Sequence, residues 1–181
     1  MAIVFFVQLR IKEIQIRLCR EGIFFTIRGE FEWKNRPLCQ FTDILAIASS
    51  GNIDNNYKHY AGAWYKSLYL SDRVYKYDDF DTDNNIIEVY NPGIYGLAVK
   101  TPLSLDISGD IRLEYVYAYY GISTQNDVSC QVAYSHATVG LGGISVSVSS
   151  AGSISFGASI GQTKEDYMGR AFTLSHGVNY K

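Results

Sequence analysis

Three carboxylates alternate through the segment DFDTDNN, at Asp79, Asp81 and Asp83, and Glu88 follows shortly after. Oxygen donors at that spacing in a polar loop are the ligands a Ca²⁺ ion takes. The twelve-residue EF-hand loop is excluded. Counted from Asp79, its sixth and twelfth positions require Gly and Glu, and they hold Asn84 and Tyr90. A looser Ca²⁺ loop or a solvated acidic turn remains, and nothing else in the chain calls for a cofactor. The three histidines, His59, His136 and His176, lie outside metal-ligand spacing of one another, so a metal site would have to be assembled in three dimensions. His136 and His176 fall on expected strands and could be neighbours, and a Cys or Asp beside either would make a nucleophile–base pair. Cys130 is not that partner for His136: six residues along one strand separate them by about 20 Å. Structural imidazoles are the better reading, and no catalytic residue is assigned.

The aromatic residues offer a different chemistry. Of 15 Tyr, 9 Phe and 2 Trp, the densest group is Trp64 with Tyr57, Tyr60 and Tyr65. Exposed rings of this kind stack on sugars; buried, they are strand-forming core residues. Paired carboxylates for glycoside hydrolysis are always available among 18 acidic residues, but no pair is singled out. The chain has no Walker loop, Gly-x-Ser-x-Gly elbow or His-Glu-x-x-His, and VGLGG at 139–143 lies between expected strands, without a phosphate-loop Lys. A net charge of −2 gives no general attraction to nucleic acid or to an anionic membrane. Residues 1–40 hold seven Lys/Arg against four Asp/Glu and residues 41–90 four against eight, a contrast too small to define a partner.

These residues sit on strands. Residues 7–18 (VQLRIKEIQIRL) alternate with one slip at Lys12-Glu13, which predicts a β-bulge, with a short amphipathic helix as competitor. A turn at Glu21-Gly22 leads into a second strand-like run, 23–33. Residues 41–48 form a nearly continuous apolar run suited to a strand buried on both faces. Residues 57–70 place Tyr60, Trp64, Leu68 and Leu70 on one face and Tyr57, Tyr65 and Tyr69 on the other. Strand, turn and strand follow over 86–100. Ser108-Gly-Asp signals a hairpin, after which Ile111, Leu113, Tyr115, Tyr117 and Tyr119 share a face; 128–138 and 170–178 also alternate.

The most regular segment is ISVSVSSAGSISFGASI at 144–160. Ile144, Val146, Val148, Ile154, Phe156 and Ile160 alternate with Ser and Gly around a Ser-Ser-Ala-Gly turn. This predicts a hairpin with one apolar face and one face of very small polar groups. It suits a sandwich hairpin, an interaction surface, or a membrane-inserting ribbon, whose arms would need about nine to eleven residues.

Short strands, Gly/Asn/Asp/Ser turns and no long helix predict an all-β protein. The architecture expected is a two-sheet antiparallel β-sandwich with an N-terminal β-hairpin: one domain over 1–181, with 1–29 readable as an appended hairpin. Cys19, Cys39 and Cys130 are too few for a disulfide scaffold, although a Cys19–Cys39 bridge would be open to an exported chain. MAIVFFVQLRIK reads neither as a signal peptide nor as a membrane span.

Three pieces carry a resemblance: FTDILAIASSGNI after a Trp-containing strand, the acidic loop leading into IIEVYNPGIYGLAVK, and VAYSHATVGLGGISVSVSSAGSISFGASIGQ with AFTLSH. In this order, over about residues 31–181, the chain resembles a group of secreted β-rich proteins of Gram-positive bacteria to which no activity is assigned. The resemblance implies export and a Tyr-x-His strand, here Tyr134 and His136, ahead of a Ser-rich hairpin. The expected function is therefore non-enzymatic: an exported or cell-surface β-sandwich that binds a protein or glycan ligand or associates with itself. A pore-forming or membrane-active β-protein using 144–160 is the alternative, and a glycan-acting enzyme comes third.

Overall fold

The computed structural model describes residues 7–10, 14–19, 22–33, 41–52, 59–70, 74–78, 86–90, 94–106, 108–124, 126–139, 144–158, 163–168 and 172–174. Every regular element among them is a strand. In chain order these are β1 (Val7–Arg10), β2 (Ile14–Cys19), β3 (Gly22–Trp33), β4 (Thr42–Ser49), β5 (Tyr60–Ser67), β6 (Val74–Asp78) and β7 (Glu88–Tyr90). There follow β8 (Gly96–Pro102), β9 (Ile111–Thr124), β10 (Val128–Val139), β11 (Ile144–Val148), β12 (Ile154–Ala158), β13 (Thr163–Met168) and β14 (Phe172–Leu174). Sheet A runs β1-β3-β9-β5-β6, with β2 also on β3. Sheet B runs β13-β10-β4-β8-β7, with β14 also on β10. β11 and β12 make a separate two-stranded ribbon. All pairings are antiparallel, as strands joined by short turns require.

Sheets A and B face each other across one core, forming the expected sandwich. Sheet A contributes Ile27, Phe31, Ala61, Ala63, Tyr65, Val116, Ala118 and Tyr120; sheet B contributes Leu45, Ile47, Leu97, Val99, Val132 and Tyr134. Large side chains from alternate positions of both sheets interdigitate, which gives this layer its density. The N-terminal hairpin β2–β3 closes at Cys19↔Gly22, and β3 runs on from it to pair with β9. Arg10 and Ile14 are four positions apart, while their partners Glu30 and Ile27 are three apart. The one-residue slip in the sequence is therefore a register shift between β1 and β2, and the helical competitor is not formed.

Strand β4 is buried along seven of its eight residues. Leu45 and Ile47 face sheet A, while Ile44, Ala46 and Ala48 face the opposite way and are covered by the ribbon. A strand covered on both sides must be apolar at both parities, hence its unbroken run. Strand β9 departs from expectation. Trp64 pairs with Tyr115 and Tyr65 with Leu113, so Glu114 is an extra residue opposite β5. This bulge turns Leu113 into the core and Tyr115, Tyr117 and Tyr119 outward, splitting what the sequence presents as one face. Ahead of the Ser108-Gly-Asp hairpin signal, the described residues 103–106 form only an isolated bridge, Ser104↔Arg112. There Asp106 accepts hydrogen bonds from Ser104 Oγ, Ser108 Oγ and the Asp110 and Ile111 amides. Local bonds to an Asp side chain favour a turn over a ladder.

Candidate functional site

The outer face of sheet A is the first candidate. Because Ile27, Phe31 and Trp33 point inward, Arg28, Glu30 and Glu32 of β3 point out, beside Tyr115, Tyr117 and Tyr119 of β9 and Tyr60 and Trp64 of β5. Tyr60 stacks on Tyr119 at 4.7 Å between ring centroids, Trp64 lies 5.0 Å from Tyr115, and Tyr115 lies 5.9 Å from Tyr117. Tyr117 sits across Gly62, where a Cβ would come within 2.5 Å of its ring. The missing side chain lets the ring lie flat on the strand. The Arg28 guanidinium stands over Tyr117 at 5.0 Å, ion-pairs with Glu30 at 2.8 Å and donates to the Tyr115 hydroxyl at 3.3 Å. Burial and the bond to Glu30 push the Tyr115 phenol above its ordinary range, so it stays a neutral donor. Trp64 is the most open ring of the group, at 37% exposure. The result is a row of rings with the part-exposed Arg28 guanidinium among them and its partner Glu30 buried, suited to stacking and hydrogen bonding with a flat, hydroxyl-rich ligand.

Of the aromatic residues singled out in the sequence, Trp64 and Tyr60 lie on this face. Tyr65 does not: it is fully buried and donates its hydroxyl proton to the Pro102 carbonyl at 2.8 Å. Alternation puts it on the other side of β5. Tyr57 lies outside the described residues. β5 ends at Ser67, whose Oγ accepts from the Tyr69 and Leu70 amides, and the two-residue period ends with it. Leu68, Tyr69 and Leu70 are all exposed. Sequence reading missed Tyr115, Tyr117, Tyr119 and Arg28 as members of the face; the available signal was the Tyr-x-Tyr-x-Tyr alternation from 115.

The second candidate is a buried polar chain at one end of the core. Trp33 Nε1–H donates to the Tyr134 oxygen at 3.0 Å, the Tyr134 hydroxyl donates to Asp43 Oδ2, and His136 Nδ1–H donates to Asp43 Oδ1 at 2.6 Å. Asp43 and His136 are directly opposite on β4 and β10. Phe31 stacks on Tyr134 at 3.4 Å, and Trp33 meets His136 edge-on at 5.2 Å. Burial pushes the Asp43 carboxyl above its ordinary value, against the lowering pull of His136, Tyr134 and Trp33. The Tyr134 phenol is likewise raised, by burial and the neighbouring carboxylate. Asp43, Tyr134 and His136 are each at most 3% exposed. The chain ties sheet A to sheet B through hydrogen-bonded polar groups buried in the core. Asp43 was the unread member, since a lone Asp ahead of an apolar run has no motif of its own.

The remaining predicted sites are dispersed. Cys130 is buried in the core, its thiol pushed up to about 12 by burial, at the opposite end of β10 from His136. Of the Ca²⁺ loop, Asp79, Asp81 and Asp83 lie outside the described residues; Glu88 is ion-paired with Lys100 at 3.0 Å. His176, Cys19 and Cys39 have no described side chain. Ile144, Val146, Val148, Ile154 and Phe156 all lie on the ribbon face packed against sheet B; Ile160 is outside the described residues. No helix among the described residues is long and apolar enough to cross a membrane. No protein-family model and no curated protein matches the chain.

Proposed function

We propose that the protein acts by binding, without chemistry of its own, as an exported or cell-surface module whose outer face on sheet A takes a glycan. The observation that carries this reading is the ring row Tyr60–Tyr119, Tyr117 and Tyr115–Trp64, with the Arg28–Glu30 pair set among the rings. Apolar ring faces suit the C–H faces of sugars, and the part-exposed Arg28 guanidinium suits hydroxyls, whose hydrogen bonds fix orientation. The resemblance to secreted proteins supports export. Titration calorimetry against a panel of cell-wall and host-surface polysaccharides tests the reading. Binding is expected, weakened at least about tenfold by Trp64→Ala, equivalent to roughly 1.4 kcal/mol. Trp64 fluorescence should shift on binding, while Trp33, 4% exposed, should stay silent. Absence of binding across the panel, or unchanged affinity in a Trp64→Ala/Tyr115→Ala variant, would refute it.

A further inference from the structure

The ribbon β11–β12 differs from every other strand pair in the described structure. It joins neither sheet and forms a third layer on the back of sheet B. Its floor is small: Ala46, Ala48, Ala98, Ala133 and Ala137, with Ile44. Its outer face is Ser145, Ser147, Ser155 and Gly157, all exposed, with Ser147 and Ser155 hydroxyls bonded at 2.7 Å. The ladder between the two arms is internal, so lifting the ribbon breaks no strand pairing with the body. One backbone group is tied to the body by a described bond: the Ile154 amide donates to Gln131 Oε1 at 2.8 Å. The turn is a tight one, with Ser149 N–H donating to the Ser153 carbonyl at 3.0 Å and Gly152 at φ 75°.

That Ser149–Ser153 bond also sets the polarity of the ladder. Hydrogen-bonded pairs alternate in an antiparallel ribbon, so Ser147/Ser155 and Ser145/Gly157 are the bonded pairs. Ile144, Val146 and Val148 therefore turn their amides and carbonyls to the open edge of β11. Of the other strands paired on one side only, β1 (Arg10), β2 (Arg17), β6 (Lys76, Asp78), β7 (Glu88) and β13 (Lys164, Glu165, Asp166) contain charged residues in their sequence, and the three-residue β14 (FTL) does not. Charge on an edge strand blocks pairing with another chain. The ribbon has none; indeed, no Asp, Glu, Lys or Arg occurs between Asp127 and Lys164. In the sequence the alternation of the second arm continues as far as Ile160, before Gln162 breaks it and β13 begins at Thr163, so the arm from Ser153 to Ile160 has eight residues against the about nine to eleven of a bilayer-crossing strand.

We infer that the ribbon is a stored membrane-inserting hairpin. On the folded protein its apolar face rests on sheet B; at a lipid bilayer it leaves that floor, and hairpins from several copies pair edge to edge into a barrel. Closure is obligatory, because a lone hairpin in lipid would leave the edge amides and carbonyls of Ile144, Val146 and Val148 unsatisfied. Ile144, Val146, Val148, Ile154 and Phe156 would face lipid, and the serines would line a wet lumen. The uncharged turn Ser149–Ser153 can cross the bilayer without carrying a charge through it.

Dye release from vesicles of phosphatidylcholine, with and without phosphatidylserine, tests the inference on the full chain. Wild type should release dye. Phe156→Asp, with its strand signal by circular dichroism intact, should lose release, because it puts a charge against lipid. Ser147→Lys, on the opposite face, should keep it and make single channels in planar bilayers more anion-selective. A tether adds an independent check. A Cβ built on Gly96 lies 2.8 Å from a Val148 methyl, within reach of a disulfide in Gly96→Cys/Val148→Cys. The backbone there must shift slightly, since the Ile47 carbonyl is equally near. Oxidation should abolish release and reduction restore it. No release from either vesicle by wild type, or release surviving in Phe156→Asp or in the oxidised tether, would overturn the inference. Glycan binding through Trp64 is read separately and stands or falls on its own.

Discussion

The two faces of sheet B carry two different kinds of apolar contact. On the inner face Leu45, Ile47, Val99, Val132 and Tyr134 lock into the aromatic and branched side chains of sheet A. On the outer face the same strands offer Ala46, Ala48, Ala98 and Ala133, with Ile44, to a two-stranded ribbon whose Ile144 and Ile154 are buried and whose Val146, Val148 and Phe156 remain only partly so. Large side chains that interpenetrate cannot part without opening cavities on both sides. A flat alanine floor can lose its cover at the cost of little beyond the area exposed. Together the two faces pair a permanent layer with a separable one.

The largest effects should therefore come from the inner face. Phe31→Ala, which removes the ring stacked on Tyr134, should cost about 3–5 kcal/mol in urea unfolding, and Phe156→Ala on the ribbon only about 1 kcal/mol. Equal losses would erase the contrast. Asp43→Ala comes next. It leaves the Tyr134 hydroxyl and the His136 Nδ1–H buried without their acceptor and should cost about 3–5 kcal/mol.

The same carboxyl makes a prediction about pH. Its folded-state pKa is raised, so its contribution to stability is fully present below the unfolded value and lost as pH rises through the folded one. Stability of the wild type relative to Asp43→Asn should thus fall from acid toward neutral pH; a rise would mean that the ion pair with His136, rather than burial, governs the site. Asp106 works in the opposite direction. Held low by Ser108 and the Ile111 amide, it stabilises above its unfolded pKa and loses that contribution as pH falls. The Asp43→Asn comparison cancels Asp106. The smallest effect belongs to the ribbon's outer face, where Ser147→Ala should change stability by no more than about 0.5 kcal/mol.

The sequence shows strands best where burial imposes a period. β3, β4, β10 and the 144–158 hairpin are all legible because one or both of their faces are apolar. β6 (VYKYD) and β13 (TKEDYM) are not, because their charged residues share a parity with apolar ones, Val74 with Lys76 and Asp78, Met168 with Lys164 and Asp166, so no apolar face stands out. The bulge at Glu114 is faint in the sequence: one parity changes there from Arg112 and Glu114 to Val116 and Ala118, but only pairing with β5 reveals the extra residue. For the same reason the sequence groups Tyr115, Tyr117 and Tyr119 with Ile111 and Leu113, from which the bulge divides them. Tyr134 and His136 stand out as a pair in the sequence, but Asp43, about ninety residues earlier, meets them only when β4 and β10 pair. The ribbon's face is legible, and its place on the back of sheet B is not.

Native-state hydrogen exchange compares the two layers directly, without any substitution. The Ile154 amide is held by Gln131 only while the ribbon is docked, whereas the Leu45 amide lies in a strand paired on both sides. If the ribbon is a separable layer, Ile154 should exchange through a local opening insensitive to urea, with a free energy well below that of Leu45. Exchange of both amides at the same free energy, with the same urea dependence, would show the ribbon to be part of the cooperative core and contradict the account.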